Sequence, residues 1–114
     1  MPVQSERIVC MDLFKTDNVK FLVSAIMELK TEEECKNFIE DIMTTKEILD
    51  MSQRLLVAKL LDEGLVYSKI MEVSGASSTT ISRVNRCYTY GNGGYKTVLD
   101  RLSGKDEAGQ YDAI

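Results

Sequence analysis

"SKIMEVSGASSTTISRVNR", residues 68–86, places two short helix-forming segments on either side of Gly75. The first, 68–73, carries Ile70 and Val73. The second opens with small and hydroxylated residues and continues with Ile81, Val84 and two arginines, Arg83 and Arg86. Two short helices joined by a three- to four-residue turn containing glycine form a helix-turn-helix pattern, and the reading is tested by whether apolar residues fall where the pair must pack. Ile70 and Val73 before the glycine, with Ala76, Ile81 and Val84 after it, are the expected packing set. Met71 is bulkier than the alanine often found where such helices cross.

On a helical wheel of about 100° per residue with Ile81 at zero, Val84, Tyr88 and Ser77 fall within roughly 60°, whereas Thr79, Ser82, Arg83 and Arg86 gather between about 100° and 200°. One face is apolar enough to seat the helix. The other offers hydroxyls and guanidiniums, as a helix lying in a major groove requires. Arginine pairs bidentately with guanine or clasps phosphate, and Ser and Thr are short enough to let a helix approach base edges. A solvated surface helix would more typically use Glu, Lys and Ala.

The charge distribution agrees with this reading. The chain has 114 residues and a formal net charge of −4. Residues 1–65 hold 8 basic and 13 acidic side chains, residues 66–101 hold 5 and 2, and residues 102–114 hold 1 and 3. The basic surplus therefore sits on the segment with the helix pair, which points to a surface facing a polyanion, here double-stranded DNA.

Outside that segment the sequence reads as further helices joined by turns, so the expected fold class is all-α. The sole proline is Pro2, and no run alternates β-branched and polar residues. After an apolar arm, residues 1–17 with Ile8, Val9, Met11, Leu13 and Phe14, Asp17 or Asn18 is positioned to cap a helix to about Leu29. Its centre, "FLVSAIM", is apolar on almost every face. Such a helix is buried on all sides, and in a small domain part of that cover comes from another subunit.

Thr31 with Glu34 reads as a capping box before a helix with the stripe Cys35, Phe38, Ile39 and Ile42. Thr44 with Glu47 repeats the signal. The third helix runs to Gly64, placed as a left-handed terminating residue, with Leu55, Leu56, Leu60 and Leu61 as its apolar face. The helix bearing the arginines extends from about Ser78 to Tyr88 and ends at Gly91, with Gly93 and Gly94 as a hinge to a last helix in "YKTVLDRL". Residues 103–114 form a polar tail, expected to fray. The organisation is an arm, a helical domain over 18–102 with the helix-turn-helix at about 67–89, and the tail.

Several function classes are disfavoured. The chain has no histidine, which removes the commonest general base and the Ser/His and Cys/His nucleophile pairs, so an enzyme is not expected. Cys10, Cys35 and Cys87 are widely spaced without a C-x-x-C pair, so neither a disulfide framework nor a metal site is expected; Cys87 reads as a packing residue. "GNGGYKT" lacks the spacing of a phosphate-binding loop. No secretory signal or membrane-length apolar run is present, which makes a soluble cytoplasmic protein the expectation. The rival reading is a protein-interaction module whose basic helix meets an acidic partner; DNA binding differs by steep salt dependence and preference for a two-fold symmetric duplex.

"TTKEILDMSQRLLVAKLLDEGLVYSKIMEVSGASSTTISRVNR" resembles the tryptophan-repressor superfamily, and "SGASSTTISRVNRCYTYGNGGY" is similar to its YerC/YecD-type branch. The resemblance covers roughly residues 18–102. It implies an intertwined homodimer whose first helices interlock, acting as a transcriptional regulator, with a repressor expected. It further implies DNA contacts from Ser77, Ser78, Thr79 and Ser82, and phosphate contacts from Ser68 and Lys69. Arg54 and Arg83 match the two arginines that hold an amino-acid corepressor in that family. Val84 stands where the family has glycine against the indole ring. A branched side chain there fills the space of an aromatic ligand, so tryptophan is not an expected effector and no cofactor is expected; Arg54 and Arg83 remain candidates to hold the carboxylate of another small effector, and Arg83, like Arg86, also falls on the DNA-facing side.

Overall fold

The computed structural model describes residues 13–104; the arm up to residue 12, with Cys10, and the tail from residue 105 lie outside the described residues. Six helices and no strand occur among them: α1 (Asp17–Met27), α2 (Glu32–Ile42), α3 (Thr45–Asp62), α4 (Tyr67–Ser74), α5 (Ser78–Tyr90) and α6 (Gly94–Leu102). They fall into two compact units, one ending at Met43 and the other beginning at Thr44.

In the first unit, α1 starts one residue earlier than its sequence suggests. Thr16 occupies the N-cap position, not Asp17 or Asn18, and its hydroxyl donates to the Leu13 carbonyl at 2.7 Å instead of capping the helix. Asp17 lies in the first turn, where a carboxylate suits the helix dipole. The helix stops at Met27, short of Leu29. At α2, the Thr31 side chain accepts the Glu34 N–H at 3.1 Å, while the Glu34 carboxylate reaches past Thr31 to the Lys30 N–H at 2.9 Å. Two donors are still satisfied, with the box one residue wider.

Within this single chain α1 has no all-round cover. Neither α1 nor α2 buries a residue, and Phe21 and Met27 are 77% and 76% exposed. On α2, Cys35, Phe38 and Ile39 are half-buried and Ile42 is exposed. An apolar composition specifies a wish for cover but not its source.

The second unit holds the core. Thr44 and Glu47 form the full reciprocal capping box of α3, with bonds of 3.1 and 2.9 Å. Its other end closes with Leu65 N–H on the Leu60 carbonyl at 3.1 Å and Gly64 N–H on Leu61 at 3.0 Å, the two bonds of a Schellman motif. Gly64 takes φ 86°, a left-handed conformation that a side chain resists. The inward face of α3 is Val57, Ala58 and Leu60, flanked by half-buried Leu56 and Leu61; Leu55, expected on that face, is exposed. The buried set continues with Ile70 from α4, Ala76 from the turn, Ile81 and Val84 from α5 and Leu99 from α6. Each fully buried aliphatic side chain contributes about 1.5–3 kcal/mol, so this cluster is what seats α5.

Val73 departs from its expected packing role: it is 50% exposed, and Met71 is exposed too. Ile70 and Ala76 take the space between the helices, so the bulk of Met71 does not obstruct their crossing.

Candidate nucleic-acid interface

Gly75 ends α4 with φ 73°, and Ala76 follows with its methyl buried in the core. The Ser74 side chain donates to the Ile70 carbonyl at 2.6 Å and accepts the Ala76 N–H at 3.1 Å, fixing the exit from α4. Gln53 on α3 donates from Nε2 to the Ser74 carbonyl at 3.3 Å, which ties the turn to the long helix. Ser77 then caps α5, accepting the Thr80 N–H at 3.2 Å. Its hydroxyl also lies 3.2 Å from Thr80 Oγ1 as donor. The turn is therefore set by a left-handed glycine, a buried methyl and side-chain caps on both helices.

The core sets the rotation of α5. Ile81 is 0% and Val84 2% exposed, whereas Ser78, Thr79, Ser82, Arg83 and Arg86 are exposed. No acidic residue occurs between Glu72 and Asp100, so the outer face of α5 carries two guanidiniums with no carboxylate in its own helix. Ser68 and Lys69 are exposed in the first turn of α4, and Lys69 has Glu72 at 3.7 Å. Such an exposed pair is weak and yields readily to a stronger anion.

The far end of α5 is held differently. Tyr88 donates its hydroxyl to Asp62 Oδ1, and Lys96 of α6 reaches the same oxygen at 3.1 Å. Asp100 lies 4.0 Å from Lys96. The hydrogen bond to Asp62 raises the Tyr88 phenol above its ordinary range, and Asp62 likewise holds Lys96 more firmly protonated. One carboxylate of α3 thus joins α5 and α6. The helix ends at Tyr90 with Gly91, whose φ of −82° is open to any residue. Space imposes the glycine: a Cβ there would meet the Cys87 carbonyl oxygen at 2.3 Å.

Cys87, expected to pack, is exposed on α5. Arg54 is exposed on α3, beside Tyr95 of α6. Burial raises the Tyr95 phenol, and the positive charge of Arg54 opposes that shift. Sequence patterns did not single out Tyr67, Asn85 and Thr89. Asn85 Nδ2 donates to the Tyr67 hydroxyl at 3.1 Å, and Thr89 Oγ1 donates to Asn85 Oδ1 at 3.2 Å, bridging the start of α4 to the third turn of α5. The Asn85–Thr89 spacing of four was visible; the partner 18 residues away was not.

Residues 17–103 match the family described as Trp repressor protein. The chain belongs to the Trp repressor protein family. A Bacillus subtilis (strain 168) member described as "Uncharacterized protein YerC" is 49% identical over 81 residues, which are 71% of this chain and 78% of that one. The solved structure of a TrpR like protein from Eubacterium eligens, 49% identical, covers 80% of this chain and 94% of its own with a TM-score of 0.76. A second solved structure, from Staphylococcus aureus, is 41% identical and covers 81% of this chain and 92% of its own, again with a TM-score of 0.76. The all-helical TrpR-like fold is thereby established, and Trp repressor family membership supports a DNA-binding regulator in general. Among the described residues no group of three or more His, Cys, Asp and Glu side chains could hold a metal, and no helix is long and apolar enough to cross a membrane.

Proposed function

We propose that this chain is a sequence-specific transcriptional regulator, a repressor, that binds double-stranded DNA in the cytoplasm as an intertwined homodimer. The domain is residues 18–102 and its helix-turn-helix about 67–89. The observation that carries the reading is the division of α5, with Ile81 and Val84 sealed in the core and Ser78, Thr79, Ser82, Arg83 and Arg86 outward. In this reading α5 enters the major groove, where Ser77 and Ser78 begin the contact, Thr79 and Ser82 reach base edges, and Arg83 and Arg86 pair with guanine or clasp phosphate. Ser68 and Lys69 sit over the backbone. The homodimer draws its support from α1, whose Phe21 and Met27 would otherwise leave a large apolar surface in water.

Arg54 and Arg83 are candidates to hold the carboxylate of a small effector. Val84 is buried in the core of this chain, its branched side chain occupying volume that a glycine would leave open. Tryptophan is therefore not the proposed effector.

Selection of duplexes from a random library, followed by light scattering of the protein alone and in complex, tests the function. Enriched sequences with two-fold symmetry bound by a dimer are the expected result. Binding without sequence preference, or a stable folded monomer, would contradict it.

A further inference from the structure

Tyr67 is the first residue of α4, immediately before Ser68 and Lys69, and is 38% exposed. Its hydroxyl oxygen accepts from Asn85 Nδ2 at 3.1 Å, and Asn85 Oδ1 in turn accepts from Thr89 Oγ1 at 3.2 Å. A phenol oxygen that accepts through a lone pair keeps its own proton for another acceptor. Among the described residues no protein acceptor takes that proton. The first helix of a helix-turn-helix crosses the sugar–phosphate backbone, and tyrosine hydroxyls are among the donors that phosphates accept from.

We propose that Tyr67 is a phosphate-contacting residue of the DNA interface and that Asn85 is the positioning residue that orients it. The proposal rests on the DNA-binding reading above. Asn85 is half-buried on α5, one residue from Val84 in the core, so its amide is placed by the same packing that seats the recognition helix. Thr89, four residues along the same helix, holds the amide oxygen and leaves the NH2 group to face Tyr67. An exposed tyrosine free at both χ angles would lose rotamer freedom on meeting DNA. The Asn85 bond removes part of that loss before binding. The same bond couples the angle between α4 and α5 to the contact: if α5 shifts, the Tyr67 hydroxyl moves with it. Being neutral, this contact adds affinity without releasing a counterion from the protein side, unlike Lys69.

The test uses the full chain and a duplex that it selects from a random library. Affinities are measured over a salt series for the wild type, Tyr67→Phe, Asn85→Ala, the double variant, and Arg83→Ala/Arg86→Ala as a reference. The duplex is also made with single neutral methylphosphonates along each strand. Tyr67→Phe should weaken binding about tenfold, the value of one hydrogen bond to a charged group. Its salt slope should equal that of the wild type. One methylphosphonate position should weaken the wild type and leave Tyr67→Phe unaffected, a pattern that a merely structural tyrosine would not produce. Asn85→Ala should show part of the same loss, and the double variant should bind no worse than Tyr67→Phe.

Wild-type affinity in Tyr67→Phe would overturn the proposal, as would a weakened variant that keeps every methylphosphonate sensitivity. If the arginine variant loses binding while Tyr67→Phe does not, the tyrosine assignment fails and the recognition helix stands. If the arginine variant binds normally, the recognition helix itself is wrong and the tyrosine proposal falls with it.

Discussion

Ile81→Ala tests the packing that points the arginines outward. Ile81 is fully buried, and its cluster includes Val57, Ile70 and Val84, each no more than 2% exposed. Neighbours so tightly enclosed have little freedom to collapse into the vacated space, which places the substitution in the middle of the 2–5 kcal/mol range for Ile→Ala, at about 3–4 kcal/mol. For a chain of this size each kcal/mol shifts Tm by about 4 °C, so the melting temperature should fall by roughly 12–17 °C. Ser82→Ala, one residue along and exposed, should change stability by no more than about 0.5 kcal/mol. Thermal unfolding followed by far-ultraviolet circular dichroism, at one fixed protomer concentration, measures both. An Ile81→Ala loss below about 1 kcal/mol would refute the reasoning, because a helix seated by other residues need not present Arg83 and Arg86 to solvent.

Two further outcomes are expected. The raised Tyr88 and Lys96 groups, with ordinary values of 10.0 and 10.5, both favour the protonated state in the folded protein. Their stabilisation is complete below the unfolded values and disappears as pH rises through the higher folded ones; denaturant melts above pH 10 should therefore show falling stability, and Tyr88→Phe should make that fall shallower. A slope unchanged by the substitution would remove the Tyr88–Asp62 bond as its source. L-tryptophan at millimolar concentration should not raise Tm, since a native-state ligand would do so by mass action. Calorimetric binding of tryptophan by the wild type would show that buried Val84 does not close the site; a response gained only in Val84→Gly would show that it does.

The sequence made the second unit legible where short-range chemistry decides structure. Thr44, Glu47, Gly64 and Gly75 are local signals, and each forms the predicted cap or turn or stands at it. The rotation of α5 was also legible, because Ile81 and Val84 are its central aliphatic residues. Failures came where a choice depended on distant partners. The face of α3 turns toward Val57 and Ala58 rather than Leu55, since size alone does not say which side meets α4 and α5. Val73 and Cys87 had suitable spacing but emerge on the exposed side. Neither the Asn85–Tyr67 bridge, across 18 residues, nor the Tyr88–Asp62 bond, across 26, has a local signature. For α1, the apolar run gave the helix but could not say what covers it.

The central claim is that the outward face of α5 binds DNA through Arg83 and Arg86. The most direct measurement is the affinity of the wild type and of Arg83→Ala/Arg86→Ala for a selected two-fold symmetric duplex across a salt series. If each arginine contributes about 1–3 kcal/mol, the double variant should bind on the order of thirtyfold more weakly or worse, with unchanged helical content and, for any arginine on phosphate, a shallower salt slope. Equal affinity and equal salt slope for the two proteins would contradict the account.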